Sequence, residues 1–239
     1  MNIKSLSNRT LEEAPFKAIL YGPAGAGKTH LLRDFPKPLL YMDADDKNEP
    51  LIGVSEVDTV EYFMSEVSKA TQMWRTFWKD VKSLEKDTTY NTVAFDSMTA
   101  FDKILVRNCV IDGGGDPMSM PKIQHYGDIK NWYTMFFNVL KAIKGKNIIL
   151  LAHEDYKIDT DSGIHAILPL VTGSTSSEVA SVFKDTWYLE LKNTASGLQR
   201  VLHYQLFKKC VCTSTTLAGD GCIVDPTYAK LVAARRKLK

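Results

Sequence analysis

Eight residues constrain this chain more than any others. Gly22-Pro23-Ala24-Gly25-Ala26-Gly27-Lys28-Thr29 match G-x-x-x-x-G-K-[ST] in full. The motif carries meaning only between a strand and a helix. Here the apolar run Phe16–Tyr21 precedes it and a short helix over about Lys28–Asp34 follows, closed by Phe35-Pro36-Lys37-Pro38 because proline cannot continue a helix. Glycines let backbone N–H groups converge on phosphate oxygens at the positive end of the helix dipole. Lys28 reaches the β- and γ-phosphates, and Thr29 offers its hydroxyl to Mg²⁺. The candidate nucleotide-binding set is therefore Gly22, Pro23, Ala24, Gly25, Ala26, Gly27, Lys28, Thr29 and His30. The competing reading, a glycine-rich turn with no ligand, does not account for the strand-loop-helix context.

The rest of the chain reads as strands alternating with helices. Leu39–Met42, Thr92–Phe95 and Asn147–Ala152 are short apolar runs of the buried parallel type. Apolar positions from about Thr59 to Leu84 (Val60, Phe63, Met64, Val67, Trp74, Phe77, Trp78, Val81, Leu84) have helical spacing and predict one amphipathic helix. Its aromatics could stack on bases, but the helical period argues for a core-facing stripe. Helices are also expected from Ser97 to about Val110, broken by Asp112–Pro117, and through Ile129–Ile143. A Ser/Thr-rich helix start near 172–177, strand-like segments at Thr186–Leu191 and Val201–Phe207, and a final helix or frayed end from Ala229 complete the pass. The pattern predicts an α/β fold with a mainly parallel central sheet flanked by helices, and antiparallel edge strands near the C-terminus. The expected division is an arm over 1–14, one domain over 15–228 and a basic tail over 229–239.

Composition sets outer bounds. With 239 residues, 44% hydrophobic and 24% charged, the chain can bury a full core. A net charge of +2 excludes a histone-like polycation, so any nucleic-acid contact must be local. No apolar run is long enough to span a membrane, and MNIKSLSNRTLEEAPF lacks a signal-peptide core, so a cytoplasmic setting is expected. Cys109, Cys210, Cys212 and Cys222 lack zinc-knuckle spacing and read as reduced thiols.

Ligands of open α/β sheets bind at the C-terminal ends of the strands, and several polar residues fall there. Asp96 closes the third apolar run, where a carboxylate holds the Mg²⁺ shell; its competing role is a helix cap. Asp43, Asp45 and Asp46 follow the second run, and a carboxylate there can orient and deprotonate the attacking water; the alternative is a solvated acidic loop. His153 ends the fourth, as a γ-phosphate sensor or as a core or capping histidine.

The order of these segments resembles the RecA-like ATPases carried by bacteriophages, usually described as AAA-family ATPases, and most of all the minimal RecA-type single-strand annealing recombinases. The segments are the P-loop, the short helix closed by Phe35-Pro36-Lys37-Pro38-Leu39, Tyr41-Met42-Asp43-Ala44-Asp45, Val93-Ala94-Phe95-Asp96-Ser97 and Ile149-Leu150-Leu151-Ala152-His153-Glu154. The resemblance spans about Phe16 to Phe207 and implies a RecA-like P-loop core binding ATP and Mg²⁺. It assigns Asp45 to water activation, where the family commonly has Glu, Asp96 to the metal with Thr29, and His153 to the position of a sensing glutamine. Residues 112–126 and 154–173 would correspond to two DNA-binding loops. Lys208 and Lys209 resemble lysines inserted into a neighbouring subunit's site. The implied function is DNA-stimulated ATP hydrolysis with self-assembly, as ring or filament, on single-stranded DNA in phage recombination, annealing or replication. The implied partners are copies of itself, single-stranded DNA and a phage single-strand binding protein, in the host bacterial cytoplasm. The loops are poor in Arg and Lys, so DNA binding would be weak per subunit and need assembly. The alternatives are a nucleotide-switched loader of another DNA machine and a P-loop small-molecule kinase, for which the isolated Arg75 and Arg107 make a poor lid. No Asn-Lys-x-Asp motif occurs, which disfavours a GTPase.

Overall fold

The computed structural model describes residues 14–158, 165–172, 183–195 and 197–236. Six parallel strands form its centre: β1 (Lys17–Tyr21), β2 (Leu39–Asp43), β3 (Val57–Glu61), β4 (Thr92–Asp96), β5 (Asn147–Ala152) and, beyond the β6–β7 hairpin (Glu154–Ile158 and His165–Pro169), β8 (Asp185–Thr194). They lie in the order β3-β2-β4-β5-β1-β8. β9 (Gly197–His203) pairs antiparallel with β8, β11 (Cys222–Val224) with β9, and β10 (Thr213–Ser214) with β8. A mainly parallel sheet with antiparallel strands on its C-terminal side is the architecture the sequence pattern predicts. β5 separates the P-loop strand β1 from the Asp96 strand β4, so side chains from both reach one edge with a third strand between them.

Alternation along the buried strands divides the core. Ile19, Tyr21, Val93, Phe95, Ile148 and Leu150 face α2 (Ala70–Ser83), α3 (Met98–Asp112) and α4 (Ile123–Ala142). Ala18, Leu20, Ala94, Ile149 and Leu151 face Leu31 and Leu32 of the first helical segment and Leu231 of the last helix, α5 (Tyr228–Ala233). Phe77 is the hub of the first layer: its ring stacks on Phe101 at 4.2 Å and meets Tyr62, Trp74, Phe95 and Phe136. The α2 aromatics are thus core, with Trp74 and Trp78 both edge-on to Trp132 of α4. Phe77→Ala is expected to cost about 3–5 kcal/mol by leaving a cavity among rings that cannot collapse into it. A urea midpoint unchanged from the parent protein would refute that packing role.

Several boundaries differ from those expected. The single helix over 59–84 is instead β3 followed by α2; Val60 lies in an edge strand and is half exposed. The spacing of Val60, Phe63, Met64 and Val67 imitates a helical stripe by coincidence, while pairing with β2 supplies the hydrogen bonds that decide. The helix over 28–34 is α1 (Lys28–Leu31) continued by a 3₁₀ turn, Leu32–Asp34. The strand expected at Val201–Phe207 starts earlier and ends at His203. The polar stretch after His153 contains the β6–β7 hairpin. The stretch from Ala229, read as a basic tail forming a final helix or frayed end, carries most of α5 and touches the core through Leu231, while the Arg235 guanidinium lies 4.1 Å from the Phe16 ring centroid. Residues 1–13 of the expected arm, 159–164 and 173 of the second expected DNA-binding loop, most of the Ser/Thr-rich segment and 237–239 of the tail lie outside the described residues.

Candidate functional site

The P-loop wraps from β1 into α1 through three glycines with positive φ. Two of them are demanded by close approach as well as by backbone conformation. A Cβ on Gly22 would run into the Leu189 carbonyl of β8, and one on Gly27 into the Arg200 side chain of β9. Lys28 is buried, and its ammonium donates to the carbonyls of Gly22 and Pro23, both at 2.9 Å. Burial lowers its pKa to about 8, with Asp96 pulling the other way. The loop and the residues facing it enclose a cavity of about 380 Å³.

Asp96, at the end of β4, is the acceptor at the centre. Its Oδ2 receives the Thr29 and Tyr41 hydroxyls, both at 2.6 Å. Burial raises its pKa, and the two hydroxyls oppose that rise. The helix cap, the competing role for this aspartate, belongs to its neighbour: Ser97 Oγ accepts the Ala100 N–H at 3.2 Å. Thr29 and Asp96 together offer hard oxygen donors of the kind Mg²⁺ takes, and the glycine cradle leaves backbone room for phosphate.

The three acids after β2 separate by environment. Asp43 is fully buried and accepts the backbone N–H groups of Asp45 and Asp46 and the Asn48 amide, so it braces the turn. Asp46 is exposed, with positive φ. Asp45 lines the cavity, its Oδ2 taking Lys47 Nζ at 2.6 Å and His153 Nε2 at 3.2 Å. Burial pushes the Asp45 pKa up, but the His153 and Lys47 bonds outweigh it and hold the carboxyl at about 2.

The structure brings Gly25, Gly27, Lys28, Thr29, His30, Asp45, Asp96 and His153 to one cavity. Lys208 and Lys209 do not line it. They sit in the turn after β9, where Lys208 pairs with Glu190 at 3.1 Å and covers the Phe207 ring. Tyr41, Lys47, Glu49 and Arg200 are the site residues that sequence reasoning missed. Only Tyr41 had a signal, as part of the segment carrying Asp43 and Asp45.

Among the described residues no helix is long and apolar enough to cross a membrane, and no group of His, Cys, Asp and Glu is arranged to hold a metal by itself. The four cysteines are free thiols, and burial pushes Cys109 and Cys212 up to about 12.

No curated protein matches the chain. Among solved structures it is similar to a KaiC-like protein from the hyperthermophilic archaeon Pyrococcus horikoshii. That likeness covers 89% of this chain and 90% of the other, at 11% identity and a TM-score of 0.45. The profile of the AAA domain matches residues 14–210, from the strand before the P-loop to beyond β9. The chain therefore belongs to the AAA domain family and is a P-loop ATPase.

Proposed function

We propose that this chain is a Mg²⁺-dependent ATPase of RecA type, of the kind bacteriophages carry, that couples ATP binding to assembly with copies of itself on single-stranded DNA. The observation that carries this reading is the position of His153. It bonds Asp45 in the nucleotide cavity, and the next residue begins the β6–β7 hairpin. A change at the γ-phosphate end is therefore one peptide bond from a hairpin whose first strand is partly exposed and whose second packs on the core through Ile167 and Leu168. That hairpin presents Tyr156, 67% exposed, an aromatic face of the type on which unpaired bases stack. The other candidate loop exposes Met118, Met120 and Ile123, apolar surface suited to subunit contact.

In this reading Lys28 binds the β- and γ-phosphates, while Thr29 and Asp96 hold Mg²⁺, which supplies charge neutralisation to the phosphoryl oxygens. Asp45 orients the attacking water. Held at about 2 by its partners, it stays ionised and positions the water rather than taking its proton while Lys47 and His153 remain bound to it. A γ-phosphate competes for Lys47 and His153, which frees the carboxylate only when ATP is present. Lys208 and Lys209 lie outside their own cavity, and Lys208 would exchange its Glu190 partner on reaching a neighbouring subunit's site.

Turnover of ATP measured with and without single-stranded DNA across a salt series tests the proposal. Stimulation that fades as salt rises is expected, because phosphate neutralisation releases counterions. Turnover indifferent to DNA would overturn the DNA role. If turnover responds instead to a partner protein, the loader reading takes its place. Transfer of phosphate to a small acceptor would make the chain a kinase.

A further inference from the structure

Arg200 reaches the nucleotide cavity from β9, an element that the motifs do not touch. β8 pairs with β1 through Tyr21↔Tyr188 and then runs on to Thr194. With β9 it forms a ledge beyond the sheet edge, on which Arg200 stands opposite Leu191. The side chain crosses to the P-loop and lies against Gly27, leaving no space for a Cβ there. Its Nε–H is buried and meets no acceptor, and no carboxylate pairs with the guanidinium among the described residues. Asp225 bonds only the Arg200 main chain, through both its N–H and its carboxylate. A buried N–H donor that meets no acceptor among the described residues is costly to keep unless a ligand supplies one.

The cavity has a direction. Thr29, Asp96, Asp45 and His153 mark its metal and γ-phosphate end. They come from α1, β4 and the segments after β2 and β5, all on one side of the P-loop. Arg200 comes from β9, on the opposite side of β1. His30 lines the same cavity as Arg200. The nucleoside end of the phosphate chain therefore falls at Arg200. With Mg²⁺ serving the outer phosphates, the innermost one needs a different counter-charge.

We infer that Arg200 holds the α-phosphate of a nucleoside di- or triphosphate bound by its own subunit. The planar guanidinium suits bidentate contact with phosphate oxygens, which an ammonium does not reproduce. The inference rests on the P-loop reading and adds to it a residue that discriminates nucleotides from inorganic phosphates.

Calorimetric titration of the full chain with ATP, ADP and ADP carrying an α-phosphorothioate tests it, in the parent protein and in Arg200→Ala and Arg200→Lys. Arg200→Ala is expected to weaken ATP and ADP by the same factor, about tenfold to a hundredfold, as for loss of a charged hydrogen bond. Arg200→Lys is expected to recover part of that loss, and it serves alone if the alanine variant fails to fold. The thio substitution should weaken binding to the parent protein but add little in either variant, because the group it perturbs has lost its partner. Additive losses would place the guanidinium on the base instead and overturn the assignment, as would a loss confined to ATP. Unchanged affinity in Arg200→Ala, with binding abolished in Lys28→Ala, would overturn it while leaving the P-loop reading intact. A parent protein that binds neither nucleotide would bring down the P-loop reading itself.

Discussion

Lys28→Ala is expected to lower ATP turnover by about a thousandfold or more and to weaken nucleotide binding with it. In the proposed reading the ammonium is the preorganised charge at the β/γ end of the cradle, and loss of one such group typically costs about 10²–10³ in rate before binding is counted. Its two bonds to Gly22 and Pro23 also hold the loop in shape, so Lys28→Met, which keeps the stem, separates charge from packing. Turnover unchanged in both variants, with the fold intact by circular dichroism, would overturn the assignment of the site. The low pKa of this lysine adds a second signature. Burial lowers it to about 8 from the ordinary value of 10.5, so the unfolded chain binds that proton more tightly than the folded one. Burying the charge therefore costs stability below about pH 8, and the cost fades as pH rises toward 10.5. A bound phosphate reverses the preference and draws the proton back. At pH 8 nucleotide binding should take up about half a proton per site, and affinity should fall as pH rises further. Calorimetry in buffers of different ionisation enthalpy reads this uptake directly; none at pH 8, or the same uptake in Lys28→Ala, would show that the proton belongs to another group.

Asp96→Asn is the second large effect expected, a loss of about 10²–10³ in Mg²⁺-dependent turnover. Asparagine keeps an oxygen for the Thr29 or Tyr41 hydroxyl, which the carboxylate receives at 2.6 Å each, but removes the charge that a divalent cation requires. Nucleotide affinity without Mg²⁺ should change little, since the glycine cradle and Lys28 remain. The diagnostic quantity is therefore the gain in affinity on adding Mg²⁺, large in the parent protein and small in the variant. Equal gains in both would remove Asp96 from the metal site and leave it a structural acceptor for Tyr41.

The legible parts of the fold were those whose burial left a mark on consecutive residues. β1, β2, β4 and β5 are covered on both faces, and each appears as an unbroken apolar run within a residue of its observed ends. β3, β10, β11 and the β6–β7 hairpin escaped because strands at an edge or outside the main sheet need no such run; pairing partners define them instead. α2 kept its apolar stripe while its start was misplaced, since Val60 and Phe63 fit the helical period by coincidence.

By itself the sequence determined the phosphate cradle and the carboxylate that faces it. A P-loop is local chemistry, with glycines, lysine and threonine at fixed spacing on one turn, and Asp96 is marked by the strand it terminates. Only the tertiary structure decided which of three neighbouring acids enters the cavity. Asp43 is consumed by the backbone of its own turn, while Asp45 meets the histidine that follows β5, 108 residues away. The tertiary structure also brought in Tyr41, Lys47 and Arg200, whose roles depend on the order of strands in the sheet. Strand order is set by burial and pairing across the whole domain, and that information is not carried by any short stretch of chain.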